Sequence, residues 1–413
     1  MQDMSLHEIG KKIQKSLKGR YCDVITNFFT FDLSDNPKYS IKESIQLFAT
    51  AGIRNSYITT VSRDMKTMGH SCQTGETAMN RVNPLNSNEV LNQGRKANDH
   101  IISIAVERNE LKSDLIVAID THNVYRHTKL PLGKKHRKRP CSDIKTVIGR
   151  PPKDSAVYAH EYMTLQNIRM EDEPTYVLSF NRVLPLQNRV AIAKNLILEA
   201  EAKTGSNIVL IVADGDYDDV DKIQMYKELR KHFVVRADKD KKVKNHVNDC
   251  EENDRNYHVE MGYVKGNRKH NAKVNLVIIN VKWLKKQGIK YPLVKKGYLT
   301  FFTDLIPEQN ETYEEFCIRV ALFYKKRWGI EVGYRDIGDF EAKTHSLYDS
   351  TRLFLYIQAI LLYNMWIQIN LEFKDDPDRK KHFKDGIPKS TIRFLMEQIA
   401  FEEIPEEEGP LKN

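Results

Sequence analysis

Two apolar runs constrain this chain more than anything else in it: Leu115-Ile116-Val117-Ala118-Ile119 and Ile208-Val209-Leu210-Ile211-Val212-Ala213, which lead directly into Asp120 and Asp214. Continuous aliphatic runs without polar alternation predict strands buried on both faces, and therefore a sheet with helices packed over it. An acid directly after such a strand stands at the carboxyl edge of the sheet, where neighbouring chain ends open into a crevice. A turn aspartate capping local amides satisfies the same pattern, so each acid read alone keeps two readings. Asp214 also competes with Asp216, Asp218 and Asp219. That cluster lacks the spaced ligands and closing glutamate of a helix-loop-helix calcium site. Asp214 is preferred because it follows the strand, with Asp216 in reserve.

The remaining pattern divides the chain of 413 residues into several parts, as its length allows. Residues 1–110 read as helical and polar between short apolar clusters, with helices at 41–53, 55–68 and 75–82. Arg54, Arg63, Lys66, Arg81, Arg95 and Lys96 make this part basic, so it reads either as a small helical DNA-binding domain or as a helical packing domain. Residues 111–237 form the first part of an α/β core, with further strands at 158–165, 175–184 and 232–236 and helices at 189–202 and 221–231. Residues 238–310 read as a β-rich insertion with strands at 274–281 and 298–302. Residues 311–372 return to the core through a helix at 312–336 and another at 350–371, and 373–413 form a C-terminal tail region. The apolar stretch 353–371 is interrupted by Gln358, Asn364, Gln368 and Asn370, which predicts a buried core helix rather than a membrane span.

The third candidate acid, Glu331, lies in the segment Tyr324-Lys325-Lys326-Arg327-Trp328-Gly329-Ile330-Glu331. Helical spacing puts Tyr324, Arg327, Glu331 and Arg335 on roughly one face. A surface ion pair of Glu331 with Arg327 or Arg335 explains that spacing too, and such pairs contribute little. The combination with Asp120 and Asp214 is more specific. Carboxylates from distant parts of a chain are what two hard divalent cations need when a phosphodiester completes their coordination. Arg327 is suited to a nonbridging phosphate oxygen, and Tyr324 to orienting a phosphate or base. The formal charge of +9, from 65 basic and 56 acidic side chains, suits a polyanionic partner or simply a well-solvated surface. The run 129–139, with Lys134, Lys135, His136, Arg137, Lys138 and Arg139, is either a phosphate grip or a solvated loop. Five dispersed cysteines, Cys22, Cys72, Cys141, Cys250 and Cys317, argue against a disulfide framework and for a reducing compartment.

The segment resembles the signature of bacterial and archaeal insertion-sequence transposases of the DDE type. In that group the third-acid helix carries tyrosine, two residues, arginine, three residues, glutamate, six residues and lysine. Tyr324, Arg327 and Glu331 match in type and spacing. Arg327-Trp328-Gly329-Ile330-Glu331, Ala342-Lys343-Thr344 and Arg352-Leu353-Phe354 resemble an archaeal branch of it. Asp120 and Asp214 match the first and second catalytic aspartates by their place after core strands. Two positions depart. Many relatives follow the second aspartate with arginine, glycine and an aromatic, where this chain has Gly215-Asp216-Tyr217, and Gly338 stands where the signature lysine is expected. Either Lys343 or Arg335 takes that role, Lys343 being favoured by the branch resemblance, or the role is absent.

The resemblance implies an α/β fold with a ribonuclease-H-like mixed-sheet core, a β-rich insertion before the third acid and an N-terminal helical domain. It implies Asp120, Asp214 and Glu331 as ligands of two Mg2+ ions, with Mn2+ as a substitute. The chemistry would be hydrolysis at transposon ends followed by attack of the freed 3′-hydroxyl on target DNA. Tyr324, Arg327, Arg335, Lys343 and the basic run would bind DNA, and Trp283 would either stack a displaced base or pack the insertion. The expected partners are double-stranded terminal inverted repeats and target DNA, bound by a homodimer without a membrane, in the cytoplasm and nucleoid of a prokaryote. A DNA endonuclease without integration and an inactive, domesticated DNA-binding relative are the alternatives.

Overall fold

The computed structural model describes residues 6–31, 39–69, 72–126, 147–153, 156–168, 174–184, 187–238, 240–267, 270–291, 297–346 and 348–375. It divides into two compact units, one of Met1–Ile101, Arg137–Ile144 and Arg335–Asn413, the other of Ile102–His136 and Lys145–Tyr334.

The second unit is organised by a nine-stranded mixed sheet. Its strands are β1 (Asp114–Arg126), β2 (Val147–Lys153), β3 (Ala156–Asn167), β4 (Val177–Val183), β5 (Asn207–Ala213), β6 (His232–Arg236), β7 (Tyr257–Gly266), β8 (Asn271–Asn280) and β9 (Tyr298–Thr303). The order is β2-β3-β1-β5-β6-β9-β8-β7, with β4 also paired to β3. The two apolar runs become adjacent parallel strands: β1 pairs with β5, and β5 with β6. Val117, Ala118 and Ile119, and Ile211, Val212 and Ala213, are fully buried, at about 1.5–3 kcal/mol for each large aliphatic side chain. Strand β3 is antiparallel to β1, and β9 to β6. The directions and order of β4-β3-β1-β5-β6 are consistent with the expected ribonuclease-H-like core. Strands β7, β8 and β9, from the expected β-rich segment, continue this sheet through β9.

One expectation is corrected. β1 does not stop at Asp120 but runs on to Arg126, because β3 remains its antiparallel partner along that whole length, with Asp120 opposite Thr164. What ends near Asp120 is the parallel partner: the last β1–β5 pair is Ile119 with Ala213. Asp120 and Asp214 therefore follow a registered pair on neighbouring strands, at the step where the sheet loses β5.

Helices α6 (Arg189–Thr204), α7 (Val220–Glu228), α8 (Lys241–Glu252), α9 (Val281–Lys286) and α10 (Tyr313–Lys326) belong to this unit. Helix α6 starts at Asn188, whose side chain accepts from the amides of Val190 and Ala191, and ends at Gly205, whose φ of +66° suits glycine. Thr312 and Glu315 form a capping box that starts α10.

The first unit is helical: α1 (Leu6–Phe28), α2 (Ile41–Ile53), α3 (Ile58–Thr67), α4 (Gly75–Asn80), most of α5 (Ser87–Glu107) and α12 (Asp349–Glu372). Its core gathers Phe29, Phe31 and Phe48 edge-on around Phe354. Among the described residues α12 is the one helix long and apolar enough to cross a membrane, and 83% of that stretch is buried in the structure. Two of its polar interruptions bond to α5: Asn364 donates to Asn98 at 2.8 Å and Gln368 to the Ile101 carbonyl at 2.8 Å. This is the buried core helix that the sequence predicts.

Candidate active site

The expected helix 312–336 is two helices. α10 ends at Lys326 and α11 covers Trp328–Gly338, because the amide of Arg327 bonds to the Tyr324 carbonyl and that of Ile330 to the Arg327 carbonyl, a tighter turn than an α-helix makes. Arg327 occupies the step. Its side chain is only 5% exposed and meets three carboxylates: Asp120 Oδ2 at 3.3 Å, Asp214 Oδ2 at 3.8 Å and Glu331 Oε1 at 2.5 Å. Strand β1, the end of β5 and the first turn of α11 thus bring the three sequence-predicted acids around one guanidinium.

Tyr324, from the last turn of α10, donates its hydroxyl to Asp214 Oδ1 at 3.1 Å and lies under the Arg327 guanidinium. Local capping is also present, since Asp120 Oδ1 accepts from the Thr121 amide at 2.7 Å and Asp214 Oδ1 from the Gly215 amide at 2.8 Å. Each aspartate keeps its other oxygen toward Arg327. Neighbouring acids have other partners: Asp218 pairs with Lys265, and Asp219 caps α7 through the Lys222 amide and pairs with Lys222 Nζ. Asp216 is exposed.

The electrostatics follow from this crowding. Burial pushes the Asp120 carboxyl up to about 7; Arg327 and the Thr121 amide oppose the rise, and Asp214 and Glu331 add to it. Burial raises the Tyr324 hydroxyl to about 12. Burial works to lower the Arg327 pKa, but Tyr324, Asp214, Asp120 and Glu331 outweigh it and the group lies above its ordinary value. Arg327 is thus a permanent cation, and Asp120 a carboxyl whose charged form burial disfavours.

Sequence pattern does not single out Tyr334. Its hydroxyl donates to the Asp120 carbonyl at 2.8 Å, lies 2.8 Å from Thr164 Oγ1, and its ring stacks on His122. It fixes the β1 backbone at the acid itself. The available signal is its place three residues after Glu331, on the same helical face.

Other predicted residues lie elsewhere. Arg335, 72% exposed at its side chain, and Lys343, also exposed, belong to the helical unit. Gly338 ends α11, and a Cβ built on it would meet nothing within 4 Å. Trp283, in α9, is 7% exposed and packs against Tyr257. Lys134, Lys135, Arg137, Lys138 and Arg139 lie outside the described residues. A second group capable of holding a metal, His246, His258 and Glu260, has no counterpart among the sequence expectations.

Residues 187–365 match the family model of the transposase DDE domain. This part of the chain, which carries Asp214, Arg327 and Glu331, is thus similar to a transposase DDE domain. No curated protein matches the chain. Among solved structures, a piggyBac transposase synaptic complex with hairpin DNA aligns over 95% of this chain and 80% of its own, at 10% identity and a TM-score of 0.55. At that identity the similarity is one of fold.

Proposed function

We propose that the protein is a DNA transposase that cleaves at transposon ends and transfers the freed 3′-hydroxyl into target DNA. The observation that carries this reading is the convergence of Asp120, Asp214 and Glu331 on Arg327 at the open end of β5. Three carboxylates against one guanidinium are an all-oxygen donor set with excess negative charge, which fits hard divalent cations of the Mg2+ or Mn2+ type. Asp120, Asp214 and Glu331 would hold them; when bound, such ions sharpen a water or 3′-hydroxyl nucleophile and neutralise the leaving oxygen.

The chain's own residues position the reaction. Tyr324 orients Asp214 through its hydroxyl, Tyr334 fixes the Asp120 backbone, and Arg327 holds the three carboxylates together while presenting donors to a nonbridging phosphate oxygen. In cleavage, a water oxygen bonds to phosphorus as the bond to the 3′-oxygen breaks, leaving a 3′-hydroxyl and a 5′-phosphate. In joining, that hydroxyl attacks a target phosphodiester and displaces its 3′-oxygen. The partners are terminal inverted repeats and target DNA, bound by a homodimer in the prokaryotic nucleoid, with the basic run 129–139 and Lys343 on the phosphate backbone. The fold-level similarity to a transposase solved with hairpin DNA supports including a hairpin among the products assayed.

The test is cleavage and joining of duplexes carrying the element's own terminal repeats in MgCl2, with the parent chain and Glu331→Ala. Removing a metal-binding carboxylate should lower both by at least about two orders of magnitude while circular dichroism is unchanged. Equal cleavage by the two proteins would sink the assignment of Glu331. Cleavage without joining by the parent would identify an endonuclease instead.

A further inference from the structure

We propose that His246, His258 and Glu260 form a binding site for a borderline divalent transition cation of the Zn2+ class, which ties α8 to the edge strand β7. Strand periodicity puts His258 and Glu260 on one face of β7, and α8 brings His246 to that face. Donor atoms of the three residues all lie within 4.8 Å of one another. His246 Nε2 is 3.2 Å from Glu260 Oε2, close to the roughly 3.3 Å separation that tetrahedral zinc bonds of about 2.0–2.1 Å imply. The imidazole rings of His246 and His258 stack at 5.4 Å.

Two further observations point to a ligand. His258 Nε2 and the Tyr263 hydroxyl are buried atoms without a hydrogen-bond partner among the described residues, and buried polar atoms are costly to leave so. Tyr263 is on the same face for a specific reason. Glu260 pairs with Leu276 and Tyr263 with Val274, so β7 spends one residue more than β8 between these pairs. Such a bulge reverses the alternation and returns Tyr263 to the side of His258 and Glu260. Gly262, at φ +76°, makes the turn, and its amide donates to Asn275 Oδ1 at 3.0 Å. A surface pocket of about 340 Å³, lined by Lys242, Asn245, His246, Glu260 and Tyr263 among others, opens onto the group. A fourth position is thereby accessible to water, which the Tyr263 hydroxyl can bond. Two imidazoles and one carboxylate select zinc-like ions over magnesium or calcium, which prefer oxygen ligands throughout.

The experiment uses full-length protein freed of metal by chelator. ZnCl2 and MgCl2 are titrated in turn by calorimetry, and CoCl2 is followed by its visible d–d absorption. The background is Asp120→Asn/Glu331→Gln, so that the other acids do not contribute. One Zn2+ per chain, a tetrahedral Co2+ spectrum and no MgCl2 signal are expected, with His246→Gln and His258→Ala each weakening Zn2+ at least about tenfold. His246→Gln changes a partly exposed helix residue and guards against a folding defect in the strand variant. No Zn2+ uptake in this background, or unchanged uptake by a folded His246→Gln protein, would overturn the proposal.

Discussion

At the scale of single residues, Asp120 carries the clearest consequence. Burial, against the pull of Arg327, moves its carboxyl up to about 7. A carboxyl raised above its unfolded value of about 3.9 favours the folded chain while protonated; that contribution is complete below about pH 4 and is lost as the pH rises through about 7. Metal binding has the opposite dependence, because a ligand carboxyl must first lose its proton. The melting temperature of metal-free protein should therefore fall between about pH 4 and 7, and the stabilisation given by MgCl2 should grow up to and through about pH 7. Asp120→Asn should flatten the first curve and remove most of the second. An MgCl2 effect that is the same at both ends of that range in the parent chain would take Asp120 out of the metal site. The trio Tyr324, Arg327 and Glu331 is legible in the sequence because helical spacing alone aligns it. Tyr334 is not, since its partner is the Asp120 carbonyl, and a main-chain acceptor leaves no mark in residue types. Tyr263 is hidden beside His258 and Glu260 by the bulge between Glu260 and Tyr263, which breaks the period that sequence reading depends on.

Among the elements, α11 depends on how closely it approaches the sheet. A Cβ on Gly333 would overlap Oε1 of Gln166, a buried side chain of β3, whereas one on Gly338 meets nothing within 4 Å. Gly333→Ala should thus displace the buried end of the Gln166 side chain and cost at most about 1–3 kcal/mol, as overpacking does. The accompanying loss of cleavage should exceed the loss of folded protein, because Gln166 Nε2 donates to Thr164 Oγ1, the partner of the Tyr334 hydroxyl. Gly338→Lys, which places a lysine where the resembling signature carries one, should leave the stability within about 0.5 kcal/mol of the parent. Thermal melts and cleavage rates of both variants check this; a Gly333→Ala protein as stable and active as the parent would refute the close-approach argument. Helix α2 and strand β6 fall where the apolar pattern places them. Helix α8 does not, because it lies in the segment read as β-rich, where Lys241, Lys242, Lys244 and their polar neighbours obscure the three residues, Val243, Val247 and Cys250, that face the core. The break at Arg327 is likewise invisible in the sequence, since periodicity runs through one tight turn almost unchanged.

Over the whole molecule, the sheet order is within reach of the sequence only at its centre. Two unbroken aliphatic strands have to be buried neighbours, but nothing in residues 238–310 foretells that β9 pairs with β6 and carries β7 and β8 onto the same sheet. Pairing between distant strands depends on edges left open by the rest of the fold, which local pattern does not encode. The positive charge belongs to this scale as well. A net +9 gives a general attraction for duplex DNA, and the densest basic run is Lys134, Lys135, Arg137, Lys138 and Arg139. If that run grips phosphates, replacing these five residues by alanine should weaken binding to terminal-repeat and scrambled duplexes alike, because holding the phosphate backbone conveys no sequence information. The slope of log K against log salt should then become shallower by about 0.9 for each phosphate that the variant no longer neutralises. Fluorescence anisotropy over a salt series reads both quantities. A variant that loses affinity for terminal repeats alone, with its salt slope intact, would mean that the run reads bases instead, while an unchanged affinity would leave it a solvated loop and shift the electrostatic role to the basic helical unit.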